Sequence, residues 1–135
     1  MQKIPNVLLP SVLLFISACS VIRTPAELKE VSPPLRFTFQ SDPPETERSF
    51  IPELDKVAPF SFPANDTRPP TVRSLGSTIQ IIAVDDTITL YVIEIERNTE
   101  GSMGAAFINP GGYKRVIDPQ IKAAVIKCNG VVANS

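Results

Sequence analysis

The sequence predicts a small α+β fold, mainly antiparallel β-hairpins with a possible C-terminal helix, preceded by an extended proline-rich arm. Three observations predict it. Ten of the 14 prolines lie between Pro25 and Pro70, and only Pro110 and Pro119 follow. The stretch after Val72 carries two β-branched, apolar runs, TIQIIAV at 78–84 and TITLYVIEIER at 87–97. A final apolar run is bracketed by Asp118-Pro119 and Gly130, as a helix with a start and a stop signal would be.

The arm comes first. Residues before proline are pushed toward extended backbone, and proline inside a helix or central strand removes a hydrogen bond. Pro33-Pro34, Pro43-Pro44 and Pro69-Pro70 therefore argue for an extended stretch over 19–71. A coil of about 50 residues would span near 40 Å, and a fully polyproline arm would approach about 150 Å. Local order is expected within it. Thr24-Pro25-Ala26-Glu27 has the N-cap, N1 proline and N3 acid of a helix over Pro25 to Val31. Leu35 to Gln40 alternates like an edge strand. Five of the seven phenylalanines fall here, namely Phe37, Phe39, Phe50, Phe60 and Phe62. A fully solvated linker would hold fewer aromatics, so the arm should dock on its own module or on a partner.

In the module, Asp85-Asp86 suggests a two-residue hairpin between the two β runs. In the second run, Ile88, Leu90 and Val92 share one face with Glu94 and Glu96, and Thr87, Thr89, Tyr91, Ile93 and Ile95 share the other. Apolar residues on both faces predict a central strand whose Glu end emerges into water. Asn98–Gly104 reads as a turn-rich loop, Ala105–Ile108 as a third strand, Asn109–Gly112 as a turn and Tyr113–Ile117 as a fourth strand. For the tail, a helix with Ile121, Ala124, Val125 and Cys128 on one face is preferred, with Gly130 at C′. A hairpin turning at Asn129-Gly130 is the alternative. A module of 64 residues, Val72 to Ser135, is marginal alone, since such a domain buries only about 60% of its unfolded surface. The arm or an oligomeric partner would support it.

The N-terminus has a different character. Lys3 precedes the uncharged stretch IPNVLLPSVLLFISA from Ile4 to Ala18. This is short for a membrane span, which needs about 20 apolar residues, and Pro5 and Pro10 interrupt it. It suits a signal-peptide apolar region over 1–18. Ordinary secretory cleavage is disfavoured by Ile16, three residues before the cut, and an uncleaved anchor over Ile4–Ile22 is a further option. The run Ile16-Ser17-Ala18-Cys19 resembles the lipobox of bacterial lipoproteins. The resemblance implies cleavage before Cys19, lipid on its sulfur and acylation of the new amino group. Two or more acyl chains hold a protein on a membrane where one binds reversibly. Ser20 follows the cysteine where an Asp would imply retention in the inner membrane, so the resemblance points to the outer membrane, facing the periplasm.

Composition removes several function classes. The chain has 13 Lys+Arg, 14 Asp+Glu and no His, and loss of residues 1–18 moves the net charge from −1 to −2. Neither nucleic acid nor strongly anionic lipid is favoured by that balance. Without histidine there is no Ser-His-Asp or Cys-His catalysis and no His-ligated metal. The remaining candidates have ordinary explanations. Glu94 and Glu96 suit a solvated strand end, and Asp85 and Asp86 suit a turn. The glycines of 101–104 and 111–112 lack the Lys-Ser/Thr ending of a phosphate loop. Lys114-Arg115 suits a solvated face, and Asn65-Asp66-Thr67 is a chance sequon. With Cys19 lipidated, Cys128 has no partner in the chain, and is buried, free or paired with another chain. No enzyme, cofactor or metal site is expected, and Cys19 is the one functional residue named. The expected role is a non-catalytic assembly or accessory part of a periplasmic envelope machine of secretion, pilus or conjugation type. Its partners would be the membrane, through the lipid, and another envelope protein, with a homo-oligomer also allowed. A tethered inhibitor or immunity protein, acting through Asn98–Gly104 or Asn109–Gly112, is the alternative.

Overall fold

The computed structural model describes residues 22–58, 69–85 and 87–133. Six described strands form one antiparallel sheet in the order β2-β3-β4-β5-β1-β6. In chain order the elements are α1 (Pro25–Val31), β1 (Leu35–Phe39), α2 (Pro43–Leu54), β2 (Thr71–Leu75), β3 (Thr78–Asp85), β4 (Ile88–Asn98), β5 (Gly101–Ile108), α3 (Gly112–Lys127) and β6 (Val131–Val132). The α+β class and the C-terminal helix are as the sequence predicts.

The proline-rich stretch is folded over 25–58, which corrects its extended reading there. The arm docks on its own module. β1 pairs with β5 along its whole length, from Leu35↔Ala106 to Phe39↔Ser102. It is no edge strand, because β6 covers its other side at Phe37↔Val132 and Thr38↔Val131. Pro43-Pro44 starts α2 instead of blocking it. Asp42 is the N-cap, its side chain accepting from the Glu45 amide at 3.1 Å, and proline costs nothing in the first turn, where its missing N–H has no helical partner anyway. α1 forms as predicted, with the Thr24 side chain accepting from the Glu27 amide at 3.2 Å.

Three hairpins build the rest of the sheet. Leu75↔Thr78 closes around Gly76-Ser77, with Gly76 at φ +65°, so residues 71–75 are a strand that the sequence reading missed. Asp85↔Ile88 closes the next hairpin, one residue later than an Asp85-Asp86 loop would place it. Asn98↔Gly101 closes the third, so most of the expected loop Asn98–Gly104 is strand. The glycines there mark close approach rather than a turn. A Cβ on Gly104 would lie 2.2 Å from the Phe37 ring.

The sheet has two covered faces. α2 and α3 pack on one, over a core that includes Phe37, Phe39, Phe50, Leu54, Ile81, Tyr91, Ile93, Ile95, Ile117 and Ile121. α1 lies on the other, where Leu28 and Val92 are fully buried. β4 is thus central, as its two apolar faces predict. A bulge changes one detail. Ala83 pairs Tyr91 but Val84 pairs Thr89, leaving Leu90 as the extra residue. Leu90 therefore joins the main core instead of sharing the Val92 face.

α3 begins at Gly112, so the expected fourth strand Tyr113–Ile117 is helix. Tyr113, Ile117 and Ile121 recur every four residues and continue the face formed by Ala124, Val125 and Cys128. Pro119 sits inside the helix on its exposed side. The helix ends in a Schellman motif. The Asn129 amide donates to Ile126 O at 3.0 Å and the Gly130 amide to Val125 O at 2.8 Å. The left-handed C′ residue is Asn129 (φ 63°), not Gly130. Gly130 is required for another reason: a Cβ would meet the Phe39 ring at 2.6 Å. The chain then turns back to pair with β1, and the Ala133 amide donates to Arg36 O at 2.9 Å.

Antiparallel register sorts the connections between two ends of the sheet. The β3–β4 turn and Asn109–Gly112 lie at the end where the chain enters at Ile22. The Gly76-Ser77 and Thr99-Glu100 turns, the start of α2 and the end of α3 lie at the Asn98 end.

Candidate functional site

Cys19 lies outside the described residues, as do Asp86 and the sequon at 65–67. The described chain starts three residues after Cys19 and is immediately bonded to the sheet. The Thr89 amide donates to Ile22 O at 3.2 Å, and Thr89 Oγ1 donates to Arg23 O at 2.9 Å. Beside them, Asn109 Nδ2 donates to Thr89 O at 2.8 Å. The chain's point of entry is thereby tied to the start of β4 and to the β5–α3 connection.

A polar row crosses the α1 face through registered positions on β2, β3 and β4. Arg73 Nε donates to Gln80 Oε1 at 2.8 Å, and Gln80 Nε2 donates to Glu94 Oε2 at 3.0 Å. Lys29 of α1 closes the row, its Nζ donating to both Glu94 oxygens at 2.9 and 3.0 Å. Lys29 also lies 5.7 Å from the centre of the Phe107 ring, within cation–π range. Glu94 is therefore committed to holding α1 on the sheet, while Glu96 stays exposed. The Lys29–Glu94 pair is partly exposed, so its net contribution is of the order of 1 kcal/mol or less.

At the Asn98 end lies a buried hydroxyl cluster that no local pattern in the chain signals. Ser102 Oγ donates to Ser41 O at 2.6 Å, and Thr46 Oγ1 lies 2.6 Å from Ser41 Oγ and 3.3 Å from Ser102 Oγ. Thr46 and Ser102 are fully buried, and the cluster pins the first turn of α2 to the start of β5. Next to it is an open cavity of about 470 Å³, lined by Gln40, Ser41, Glu45, Ser49, Glu53, Lys127, Cys128 and Asn129. Spacing alone could not find it, because its walls come from two segments far apart in the chain, 40–53 and 127–129.

The chemistry of this cavity is quiet. Cys128 Sγ donates to Ser49 O at 3.2 Å. Burial pushes its thiol above the ordinary cysteine value, and Glu53 adds to that, against the hydrogen bond to Ser49 and the charge of Lys127. Burial would raise Glu53 as well, but its bonds to Lys56 and Lys127 hold it below the usual carboxylate range. The protonated thiol is a poor nucleophile at neutral pH. Its alkylation by iodoacetamide should rise with pH through a midpoint above the roughly 8.5 of a free cysteine. A midpoint below that value in a rate-against-pH series would contradict the assignment.

The other candidates are dispersed. Asp85 ends β3, Lys114 and Arg115 lie in the first turn of α3 rather than on a strand, and Glu96 is on the far half of β4. Among the described residues no three acids or cysteines come together as a metal site would require. Also among them, no helix is long and apolar enough to cross a membrane. Comparisons with protein-family models, curated proteins and solved structures return no match.

Proposed function

We propose that this chain is a lipoprotein anchored to the outer membrane through Cys19, serving as a non-catalytic assembly part of a periplasmic envelope machine. The observation that carries the reading is the lipobox-like run Ile16–Cys19, ahead of a fold entered at Ile22. Ser20 after the cysteine supports the outer membrane. A binding role is supported by the sheet edge at β2. Among the described strands, Thr71–Leu75 pairs only with β3, leaving backbone groups for a partner's strand.

The tethered-inhibitor alternative loses support from two placements. Asn98–Gly104 is mostly strand rather than a projecting loop. Asn109–Gly112 lies beside the point where the anchor would join the domain.

Cys19→Ala tests the anchor. The unaltered chain should incorporate labelled palmitate and sediment with the outer membrane. The variant should incorporate none and accumulate as uncleaved precursor or appear in the soluble periplasm. Normal processing and unchanged attachment of the variant would refute the lipoprotein reading. Crosslinking and mass spectrometry of the intact envelope test the assembly role, which requires recovery of components of one machine.

A further inference from the structure

We propose that, in the anchored protein, the Ile22 end of the domain lies against the lipid headgroups and the Asn98 end points away from them. This rests on lipidation at Cys19. It replaces the reach of a long arm with close apposition of the domain and the bilayer.

The covalent path is short. Three peptide units separate Cys19 from Ile22, and at 3.8 Å each they span at most about 11 Å. The domain offers no slack beyond that point. Thr89 holds the Ile22 and Arg23 carbonyls, Thr24 caps α1, and α1 is fastened by the buried Leu28 and by the Lys29–Glu94 pair. Lengthening the tether would require unpacking α1 from β4. β4 runs 11 residues from this end, so the opposite end is about 34 Å away along the strand.

Charge favours the same orientation. Among the described residues, Arg23, Lys114 and Arg115 lie near the Ile22 end, opposed there by Asp85. The Asn98 end carries Asp42, Glu45, Glu96 and Glu100 against Arg97 and Lys127. A surface of phosphatidylethanolamine and phosphatidylglycerol would repel the acidic end and accept the other. The cavity at Cys128 and the Thr99-Glu100 turn then face the periplasm.

The lipidated full chain, carrying Cys128→Ser, can be reconstituted into vesicles of those two lipids. Single labelling sites are introduced at exposed turn positions, Thr87→Cys and Pro110→Cys at one end, Ser77→Cys and Thr99→Cys at the other. A fluorophore at each site is read against quencher attached to lipid headgroups. Labels at 87 and 110 should be quenched several-fold more than those at 77 and 99. Equal or reversed quenching, with lipid verified by mass on the Cys19 peptide, would overturn the orientation and leave the anchor standing. A Cys19 peptide without lipid, in protein that fails to float with the vesicles, would overturn both.

Discussion

Phe50→Ala should cost about 3–5 kcal/mol of folding stability, a large share of the roughly 5–15 kcal/mol available to a domain of this kind. Phe50 is fully buried, with its ring centre 5.7 Å from that of Phe37 and 5.4 Å from that of Phe39. Phe37 and Phe39 meet edge to face at 5.6 Å. This trio joins α2 to β1, two elements of the proline-rich stretch, and Gly130 closes over Phe39 from the end of α3. Truncation removes the ring and leaves a cavity that rigid neighbours cannot fill. Urea unfolding of the variant should show a much lower midpoint than that of the unaltered chain. A loss below about 1 kcal/mol would mean that α2 is not docked as described.

Gly104→Ala is expected to destabilise by about 3 kcal/mol, at the upper end of the overpacking range. The added methyl would lie 2.2 Å from Phe37 Cε2 and 2.7 Å from Cζ, and the Phe37 ring is held by Phe39 and Phe50. Gly112→Ala supplies the contrast. No atom lies within 4 Å of its added Cβ, and it starts a helix, so it should be neutral or slightly stabilising. In a Phe37→Leu background the penalty at Gly104 should shrink, because the smaller side chain can yield. A double-mutant cycle by denaturant unfolding measures that coupling. Additive effects would show that the two residues do not share the contact.

The same contact explains why glycine was misleading in the sequence. Gly101 and Gly104 have the composition of a loop, yet both belong to β5. A Cβ at Gly101 would strike the Phe39 carbonyl at 2.4 Å, so each glycine is there to let another chain segment approach. Glycine in turns and glycine under a ring look identical until the partner is placed. Proline misled in the opposite direction. Pro43-Pro44 is incompatible with a helix interior and compatible with its first turn, and only the Asp42 cap and Glu45 amide distinguish the two. The sequence pattern Asp-Pro-Pro-Glu contained that information. So did Gly76-Ser77, a hairpin signal between Thr71–Leu75 and β3.

Local patterns by themselves determined the α+β class, the α1 cap at Thr24, the strands β3 and β4, the central place of β4 and the helical tail. They did so because each depends on periodicity or on hydrogen bonds within a few residues. The lipobox resemblance at Cys19 is likewise local, and it remains the basis for the proposed anchor. Only the tertiary structure decided that the proline-rich stretch completes the sheet and that Ser41, Thr46 and Ser102 share one buried cluster. Those outcomes depend on pairings between residues about 60 or more positions apart, as with Phe37↔Gly104 and Ser41 to Ser102. Burial selects such pairings from surfaces that exist only once the chain has folded.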